Sequence, residues 1–385
     1  MNNGPRLPMG FRKKDPHVRR QLICELWNIS EDNFLTLNDD NQQLLLSDQM
    51  IENAIGTMPI PLGIVTNMLI NDKSYTIPLV TEEPSVIAAA NYASQIISRK
   101  GGFTASTDKS IMIQQVFIDT TQTDVEKIPE RIEEIKQYLY PQLQSMIKRG
   151  GGLHRISIDY LKESLCYKLE LYIDVCDAMG ANLLNTIGES MVPWIEEQYA
   201  VPVIMTILSN SGIQRQAHAQ FTIPVDVLKK GNYSGHEVAK RIVRASIIAQ
   251  EDFNRAVTHN KGIMNGVSAL ALATGNDTRA VEASIHSYAA CSGQYKALSQ
   301  YRIEDNNLIG SIDLPVMLGT VGGSISYHPI SKIVHQILGN PNANELGTIA
   351  ASLGLSQNFA ALFALVSEGI QKGHMNLHKK KEGKS

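Results

Sequence analysis

The 385-residue sequence has few cysteines and no excess of charge of either sign. Its four cysteines form neither a C-x-x-C pair nor a cluster with histidine, which argues against a structural zinc site and for a reducing compartment. The 35 basic and 38 acidic residues are interspersed, so no basic surface predicts binding to nucleic acid. We therefore expect a cytoplasmic globular protein without a metal and without a nucleic-acid partner.

The sequence also shows neither the pattern of a secretion signal nor that of a membrane anchor. Residues 1–20 are polar and basic and contain three prolines, without the apolar core of a signal peptide. The longest apolar stretch, 347–370, is interrupted by polar residues such as Ser352, Gln357 and Asn358, which a bilayer-spanning helix rarely tolerates. We interpret this stretch as a buried pair of helices and expect no membrane association.

Hydrophobic periodicity divides the chain into a strand-rich central region and two flanking segments. Residues 110–119, 156–161, 167–175 and 201–208 have strand patterns, and 125–140 and 178–199 have helical spacing. This order, β-α-β-β-α-β, is the ferredoxin-like one. The flanking segments 1–109 and 224–374 are predicted to be helix-rich. We expect an α+β fold in which 110–223 is inserted into one discontinuous large domain.

Several polar residues stand where a helix is predicted to begin or where glycines bracket a lysine. Glu83 precedes Pro84 at the start of an alanine-rich run, and Asp277 precedes another helix. Lys261 lies in a glycine-bracketed stretch, 258–266, placed between two predicted helical segments. Each residue has two interpretations: helix caps and a solvated lysine, or groups that handle protons and developing charge.

A nucleotide site is a further hypothesis. The segment 177–182 opens the second helix of the central region directly after its clearest strand, where free N–H groups suit a phosphate or a ribose. A capped helix packed on a sheet explains the same residues equally well. No G-x-G-x-x-G occurs in the sequence, so a dinucleotide would bind by a non-Rossmann fold. His374, near the end of the chain, has no local signal of its own.

Six motifs occur in the order ENAIG (52–56), EEPS (82–85), DAMGAN (177–182), THNKGIMNG (258–266), ATGND (273–277) and GHM (373–375). Together they resemble the signature segments of hydroxymethylglutaryl-CoA (HMG-CoA) reductases, of the soluble class II found in bacteria and archaea. The likeness covers nearly the whole chain. It implies a two-step, four-electron reduction of HMG-CoA to mevalonate and CoA with two NAD(P)H, or the reverse oxidation, on a non-Rossmann fold.

The resemblance implies a catalytic quartet of Glu83, Lys261, Asp277 and His374. Lys261 would stabilise charge on the thioester oxygen, with Asp277 keeping it protonated and oriented. Glu83 would deliver a proton to the developing alkoxide, and His374 would protonate the departing thiolate.

The same resemblance implies binding residues and a homodimer, with an active site shared between subunits, as the smallest unit. It leaves a larger oligomer open. The residues implied for HMG-CoA are Arg255, Ser85, Asn265 and Arg12, and those implied for the nicotinamide cofactor are Asp177, Met179, Gly180, Asn182, Asn210, Gly322 and Gly323. We expect NADPH to be preferred over NADH, because 136–152 has no acidic residue to bind a ribose hydroxyl and includes Lys148 and Arg149.

Two departures from the family pattern leave alternatives open. Ser324 follows Gly322-Gly323 where a smaller residue is usual, and residues 375–385 would be only the remnant of a C-terminal flap domain. The first alternative is a CoA- or nucleotide-binding relic that has lost turnover with its closing flap. A CoA-thioester lyase or hydratase is a second, but it would leave the DAMGAN motif unexplained.

Overall fold

The protein is described by a computed structural model that covers residues 5–32, 40–326 and 328–367. The fold is mixed α+β, as expected, and is built on two sheets. Its helices are α1 (Pro16–Trp27), α2 (Asp40–Met50), α3 (Pro84–Ser98), α4 (Ile132–Tyr138), α5 (Tyr140–Ile147), α6 (Ala181–Tyr199), α7 (Gly235–Glu251), α8 (Phe253–Ala273), α9 (Thr278–Ala289), α10 (Pro329–Ile337) and α11 (Ala343–Ser367). Its strands are β1 (Leu62–Ile70), β2 (Lys73–Val80), β3 (Phe103–Thr107), β4 (Ile111–Ile118), β5 (Gly152–Leu161), β6 (Cys166–Asp174), β7 (Val203–Ser209), β8 (Gln216–Pro224), β9 (Ser299–Glu304) and β10 (Asn307–Pro315).

The four-stranded sheet has the order β5-β6-β4-β7, and every neighbouring pair is antiparallel. With α4 to α6 in the connections, the chain order is β-α-β-β-α-β, as the periodicity predicts. Helix α6 begins at Ala181, three residues after the predicted start, because Gly180 takes a left-handed conformation (φ +97°) and forms the N-cap. Strand β6 lies between β5 and β4, and most of its side chains are buried on both faces of the sheet.

A six-stranded sheet, with the order β2-β1-β3-β8-β10-β9, was not predicted from the sequence. Five of its strands belong to the two segments that we predicted to be helix-rich. Strand β2 shows why: residues 75–79 are buried without a break, and such a short apolar run has no period that separates strand from helix. The large region is therefore a sheet packed with helices.

Helix α11 is a single buried helix, and the predicted helix pair is wrong. Its length and composition would allow it to cross a membrane, but 78% of its most apolar 18-residue window is buried inside the protein. Two of its buried polar side chains have partners: Asn358 Oδ1 accepts from the Ser299 and Tyr301 hydroxyls, and Gln357 Nε2 donates to the Val86 carbonyl oxygen. These side chains fix its position against the sheet and α3.

Helix α8 corrects a second prediction, because 258–266 lies inside one continuous helix instead of between two. The helix persists through two glycines because Ile263, Val267 and Leu270 are buried at helical spacing. Gly266 also has a packing reason, since a Cβ there would lie 2.8 Å from the Gln357 side chain. Lys261 is consequently held on a rigid element.

Candidate active site

Glu83 caps the N-terminus of α3, as predicted, with Pro84 in the first turn. Its Oε1 accepts a hydrogen bond from the backbone N–H of Ser85 at 3.1 Å, and both residues are half-buried. The Gln357 side chain donates to the carbonyl oxygen of Val86, in the same first turn of α3, and lies against Gly266 of α8. The two predicted substrate segments, 82–85 and 258–266, thus meet around one buried glutamine.

Helix α8 presents three of the predicted residues. Lys261 is exposed, and Asn265, one turn later on the same face, is half-buried. Arg255 is half-buried near the start of the helix, where its backbone N–H donates to Asp252, and burial lowers the pKa of its guanidinium. A carboxylate that reached this face would meet a cation partly withdrawn from water.

Asp277 caps α9 as predicted, but its carboxylate does not contact Lys261 in the described residues. It accepts from the backbone N–H groups of Arg279 and Ala280 and from the exposed Arg279 guanidinium, at 3.0 to 3.3 Å. Burial raises the pKa of Asp277, but these hydrogen bonds outweigh it and leave the pKa lowered. The carboxylate is therefore ionised at neutral pH.

Lys261 and Asp277 are also separated along the chain. After α8 the backbone turns so that the N–H of Asn276 donates to the carbonyl oxygen of Ala271. Ala271 lies ten residues beyond Lys261, which is about 15 Å along a helix axis. Nothing in the described subunit brings the two side chains together.

The DAMGAN segment pairs with the loop after β10. The N–H of Thr320 donates to the carbonyl oxygen of Asp177, and Ala178 forms an isolated parallel bridge with Val321. Gly319 is packed so closely against Met179 that a Cβ would overlap its backbone nitrogen. The Asp177 carboxylate accepts from the N–H of Ala343 at 2.9 Å, so it also joins this loop to the start of α11.

Beside these paired loops lies a cleft of about 420 Å³. It is lined by Asp177, Thr320, Val321, Ile325, Lys332, His335, Asn340, Pro341 and Asn342. Its rim offers one exposed lysine, Lys332, and the N-terminus of α6 follows directly after the paired segment. A cleft of this size and polarity suits the nicotinamide end of a dinucleotide.

Asn276 connects the candidate catalytic aspartate to this cleft. Its side-chain oxygen accepts from the N–H of Gly319 at 2.7 Å, and its amide nitrogen donates to the Gly319 carbonyl oxygen at 3.1 Å. His335 of α10 donates from Nε2 to the carbonyl oxygen of Thr274, and burial lowers the pKa of this histidine. The turn that ends in Asp277 is therefore docked on both sides.

The other predicted residues are placed less tightly. Asn182 is exposed in the first turn of α6, Asn210 is exposed just after β7, and Gly322 and Gly323 are exposed with left-handed backbones. Arg12 is exposed in a short 3₁₀ helix near the N-terminus. His374 lies outside the described residues.

Lys148 and Arg149 lie at the same edge as the DAMGAN segment. They precede the turn 150–152, in which a Cβ on Gly151 would lie 2.6 Å from Cys176 Sγ. Cys176 in turn contacts the Arg149 carbonyl oxygen. The basic pair is therefore adjacent to the residues that lead into Asp177.

Sequence reasoning missed the residues that hold the site together. Asn276 stands inside a quoted motif, but its spacing gave no reason to assign it a partner 43 residues away. Gly319 lies in a stretch without the Rossmann spacing, and nothing local predicts its partner. Arg215 is a single arginine in a polar stretch, and no local signal identifies it.

Comparison with known proteins agrees with this geometry. The family model described as hydroxymethylglutaryl-coenzyme A reductase matches residues 15–379. The reductase of Archaeoglobus fulgidus is 42% identical over 97% of this chain and 85% of its own length, and the probable reductase of Borreliella burgdorferi is 40% identical with the same coverage.

Solved structures show the same relationship. The class II reductase of Streptococcus pneumoniae, bound to NADPH in open conformations, superposes with a TM-score of 0.87 at 39% identity, over 93% of this chain and 99% of that one. A second structure of the Streptococcus pneumoniae enzyme gives a TM-score of 0.88 at 40% identity, over 97% of this chain and 90% of that one. The chain belongs to the hydroxymethylglutaryl-CoA reductase family and is an oxidoreductase of the class II fold.

Proposed function

We propose that the chain reduces HMG-CoA to mevalonate and CoA with two molecules of NADPH, at a site completed between two subunits in the cytoplasm. The observation that supports this most directly is the docking of the Asp277 turn, through Asn276 and Gly319, onto the loops of the cleft. An ionised catalytic carboxylate is thereby fixed beside a cavity that fits a nicotinamide ring. The four-stranded region, 110–209, would be the inserted cofactor domain, and 1–109 with 216–374 the substrate domain. The boundary expected at 223 moves to before β8, because β8 pairs with β3 and β10 in the six-stranded sheet.

The cleft residues fit the cofactor, which supplies the hydrides of both steps when it is bound. Asp177, Met179, Gly180 and Asn182 would line it, with Asn210, Gly322 and Gly323 at its margin. Gly180 is required there by its conformation, since a Cβ would also lie 2.8 Å from the Val175 side chain. The free N–H groups at the start of α6 suit an anionic cofactor.

Lys261 and Asp277 would stabilise the charge that grows on the substrate carbonyl oxygen. Lys261 lies on a rigid helix, as a preorganised cation should. Asp277 has a lowered pKa, so it would keep the ammonium protonated and directed instead of acting as a base. This pairing requires Asp277 to exchange its exposed partner Arg279 for Lys261.

Glu83 would supply the proton to the alkoxide, with Ser85 and Asn265 beside it binding the hydroxymethylglutaryl group. Arg255 would bind the free carboxylate of that group, and Arg12 the CoA phosphates. His374 would protonate the thiolate of CoA as it leaves.

The second subunit would cover surfaces that a single subunit leaves apolar and open. Phe253, Val257 and Leu272 are exposed on the face of α8 that carries Lys261. Two apolar side chains in and just after the ENAIG segment are even more exposed: Ile55 is 99% exposed and Met58 is 86% exposed. Apolar groups in such numbers are typical of a surface that a partner buries. A second copy would bring the Lys261 face of one subunit to the Asp277 turn of the other.

Turnover with pure protein tests the reaction. We expect HMG-CoA-dependent NADPH oxidation, with two cofactors oxidised for each CoA released, and no oxidation above background in a Lys261→Ala control. A different ratio would contradict the four-electron reaction. Absence of turnover in the wild type, with NADPH still bound, would instead support the binding relic, which the family match does not favour.

Cofactor preference is tested separately. Lys148 and Arg149 lie near the start of the DAMGAN segment and would receive a ribose 2′-phosphate. We expect kcat/KM to be higher with NADPH than with NADH, and Arg149→Ala to reduce only the NADPH value. Equal or higher kcat/KM with NADH in the wild type would refute the preference.

A further inference from the structure

Arg215 is a buried cation that the implied chemistry leaves without a role. It lies just before β8, and only 4% of it is exposed. Burial lowers the pKa of its guanidinium to about 10, which still leaves it charged at neutral pH. Within the described residues the guanidinium forms no ion pair with a carboxylate, and charged groups are rarely buried in this way without a specific purpose.

The partners of this guanidinium are backbone carbonyl groups of two loops. Nη1 donates to the carbonyl oxygen of Ala178 at 3.2 Å, and Nη2 donates to that of Leu318. Ala178 belongs to the DAMGAN segment, and Leu318 precedes the loop that contains Gly319 and Thr320. The planar guanidinium therefore bridges the same two loops that the hydrogen bond from the Thr320 N–H to the Asp177 carbonyl oxygen joins.

The backbone of Arg215 connects a third segment to these two. Its N–H donates to the carbonyl oxygen of Gly212, and its own carbonyl oxygen accepts from the N–H of Val316. Gly212 lies two residues after Asn210 and begins the turn 212–215, and its N–H donates to the Ser284 hydroxyl oxygen of α9 at 3.0 Å. Asn210, the DAMGAN segment and the Gly319–Gly323 loop thus converge on one residue.

We propose that Arg215 is a positioning residue for the nicotinamide cofactor: it holds the three loops at the cleft in their binding arrangement without touching the cofactor. This inference rests on the proposed function, because it takes the cleft to be the cofactor site. Its positive charge also lies near Asp174 and Asp177, and so offsets the negative charge at a site meant for an anion. Loss of the guanidinium would leave two buried carbonyl groups without donors and let the loops separate.

The test compares Arg215→Met and Arg215→Lys with Arg241→Met, a control in which the arginine also donates to a carbonyl oxygen but lies on the exposed side of α7. NADPH Kd is measured by fluorescence titration, and the KM for HMG-CoA and the thermal midpoint are measured on the same samples. We expect Arg215→Met to raise the NADPH Kd at least tenfold, with less than a twofold change in the KM for HMG-CoA. Arg215→Lys should be intermediate, because an ammonium group reaches only one of the two carbonyls well.

Two outcomes would overturn the inference: an unchanged NADPH Kd in folded Arg215→Met, or equal losses for both substrates, as a purely structural role predicts. If Arg215→Met does not fold, Arg215→Lys decides, and an NADPH Kd within twofold of wild type refutes the proposal. Failure of the proposed function would look different, since the wild type itself would then not bind NADPH.

Discussion

Helix α8 has two contrasting neighbourhoods. At its C-terminal end the chain enters a turn in which Thr274, Asn276 and Asp277 all form hydrogen bonds within the same subunit. Around Lys261, about three turns earlier along the helix, the side chains project outward beside exposed apolar residues. The proposed cofactor side of the site is held together within one chain, whereas Lys261 is exposed. Under the proposed function, a single subunit would be preorganised for the cofactor and incomplete for the chemistry.

This difference has a physical basis. Loops around a dinucleotide must expose backbone groups, and those groups need partners such as Asn276 and Arg215 before any ligand arrives. A lysine that acts on a substrate oxygen gains strength only when water is excluded, which a partner surface or a closing segment can provide. Under the proposed function, the loops on the cofactor side would be stabilised on folding, and the lysine side would be stabilised on assembly of two subunits.

The largest effect is expected when Lys261 is removed, because this change should affect the chemistry and leave cofactor binding intact. Lys261→Ala should lower kcat by roughly 10²–10³-fold, the usual cost of one preorganised charge-stabilising group. The NADPH Kd should stay within twofold of wild type, because the cofactor loops do not contact this residue. Steady-state kinetics and fluorescence titration measure the two values. The control is Lys240→Ala, at an exposed position of α7. Weakened NADPH binding in Lys261→Ala would show that the lysine side and the cofactor side are not independent.

A smaller effect should follow when the contact between Asn276 and Gly319, beyond the C-terminal end of α8, is removed. Asn276→Ala removes both hydrogen bonds to Gly319 and leaves that backbone without partners, a cost of about 1–3 kcal/mol. We expect a higher NADPH Kd together with a lower kcat, since the Asp277 turn and the cleft both shift. Asn307→Ala, at the start of β10, is the control, because its amide nitrogen also donates to a carbonyl oxygen, that of Asp305. If kcat fell with an unchanged NADPH Kd, the junction would not support the cofactor side.

A pH effect tests how firmly α8 itself is held. Burial and the nearby Arg255 lower the pKa of His259 to about 3, and its Nε2 pairs with the Ser299 hydroxyl at 2.6 Å. Above pH 6.5 the histidine is neutral in both states. As pH falls from about 6.5 toward 3, only the unfolded chain gains the proton, so stability should fall by about 1.4 kcal/mol per pH unit.

Urea denaturation at several pH values measures this slope, and His259→Gln should reduce it by about one proton relative to wild type. An identical pH slope in wild type and His259→Gln would show that the histidine is solvated or protonated in the folded protein. The comparison is between two slopes, so contributions from carboxylates cancel.

The sequence predicted those parts of the fold that are set by local chemistry. Helix starts at Glu83 and Asp277 follow from capping residues, and the order of elements in the four-stranded sheet follows from strand periodicity. Contacts between distant segments could not be predicted from the sequence. The six-stranded sheet, the continuity of α8 and the partners of Asn276 depend on tertiary packing. The proposed catalytic set came from the order of motifs, whereas the separation of Lys261 from Asp277 within the described subunit became visible only in three dimensions.

Mixed dimers test that division most directly. Lys261→Ala and Asp277→Asn chains are co-expressed with different affinity tags, and dimers that carry both tags are purified in succession. If Lys261 of one subunit serves with Asp277 of the other, each mixed dimer retains one intact site and about half of the wild-type activity, although both parent homodimers are inactive. Mixed dimers as inactive as their parents would contradict the account, because Lys261 and Asp277 would then act within the same subunit.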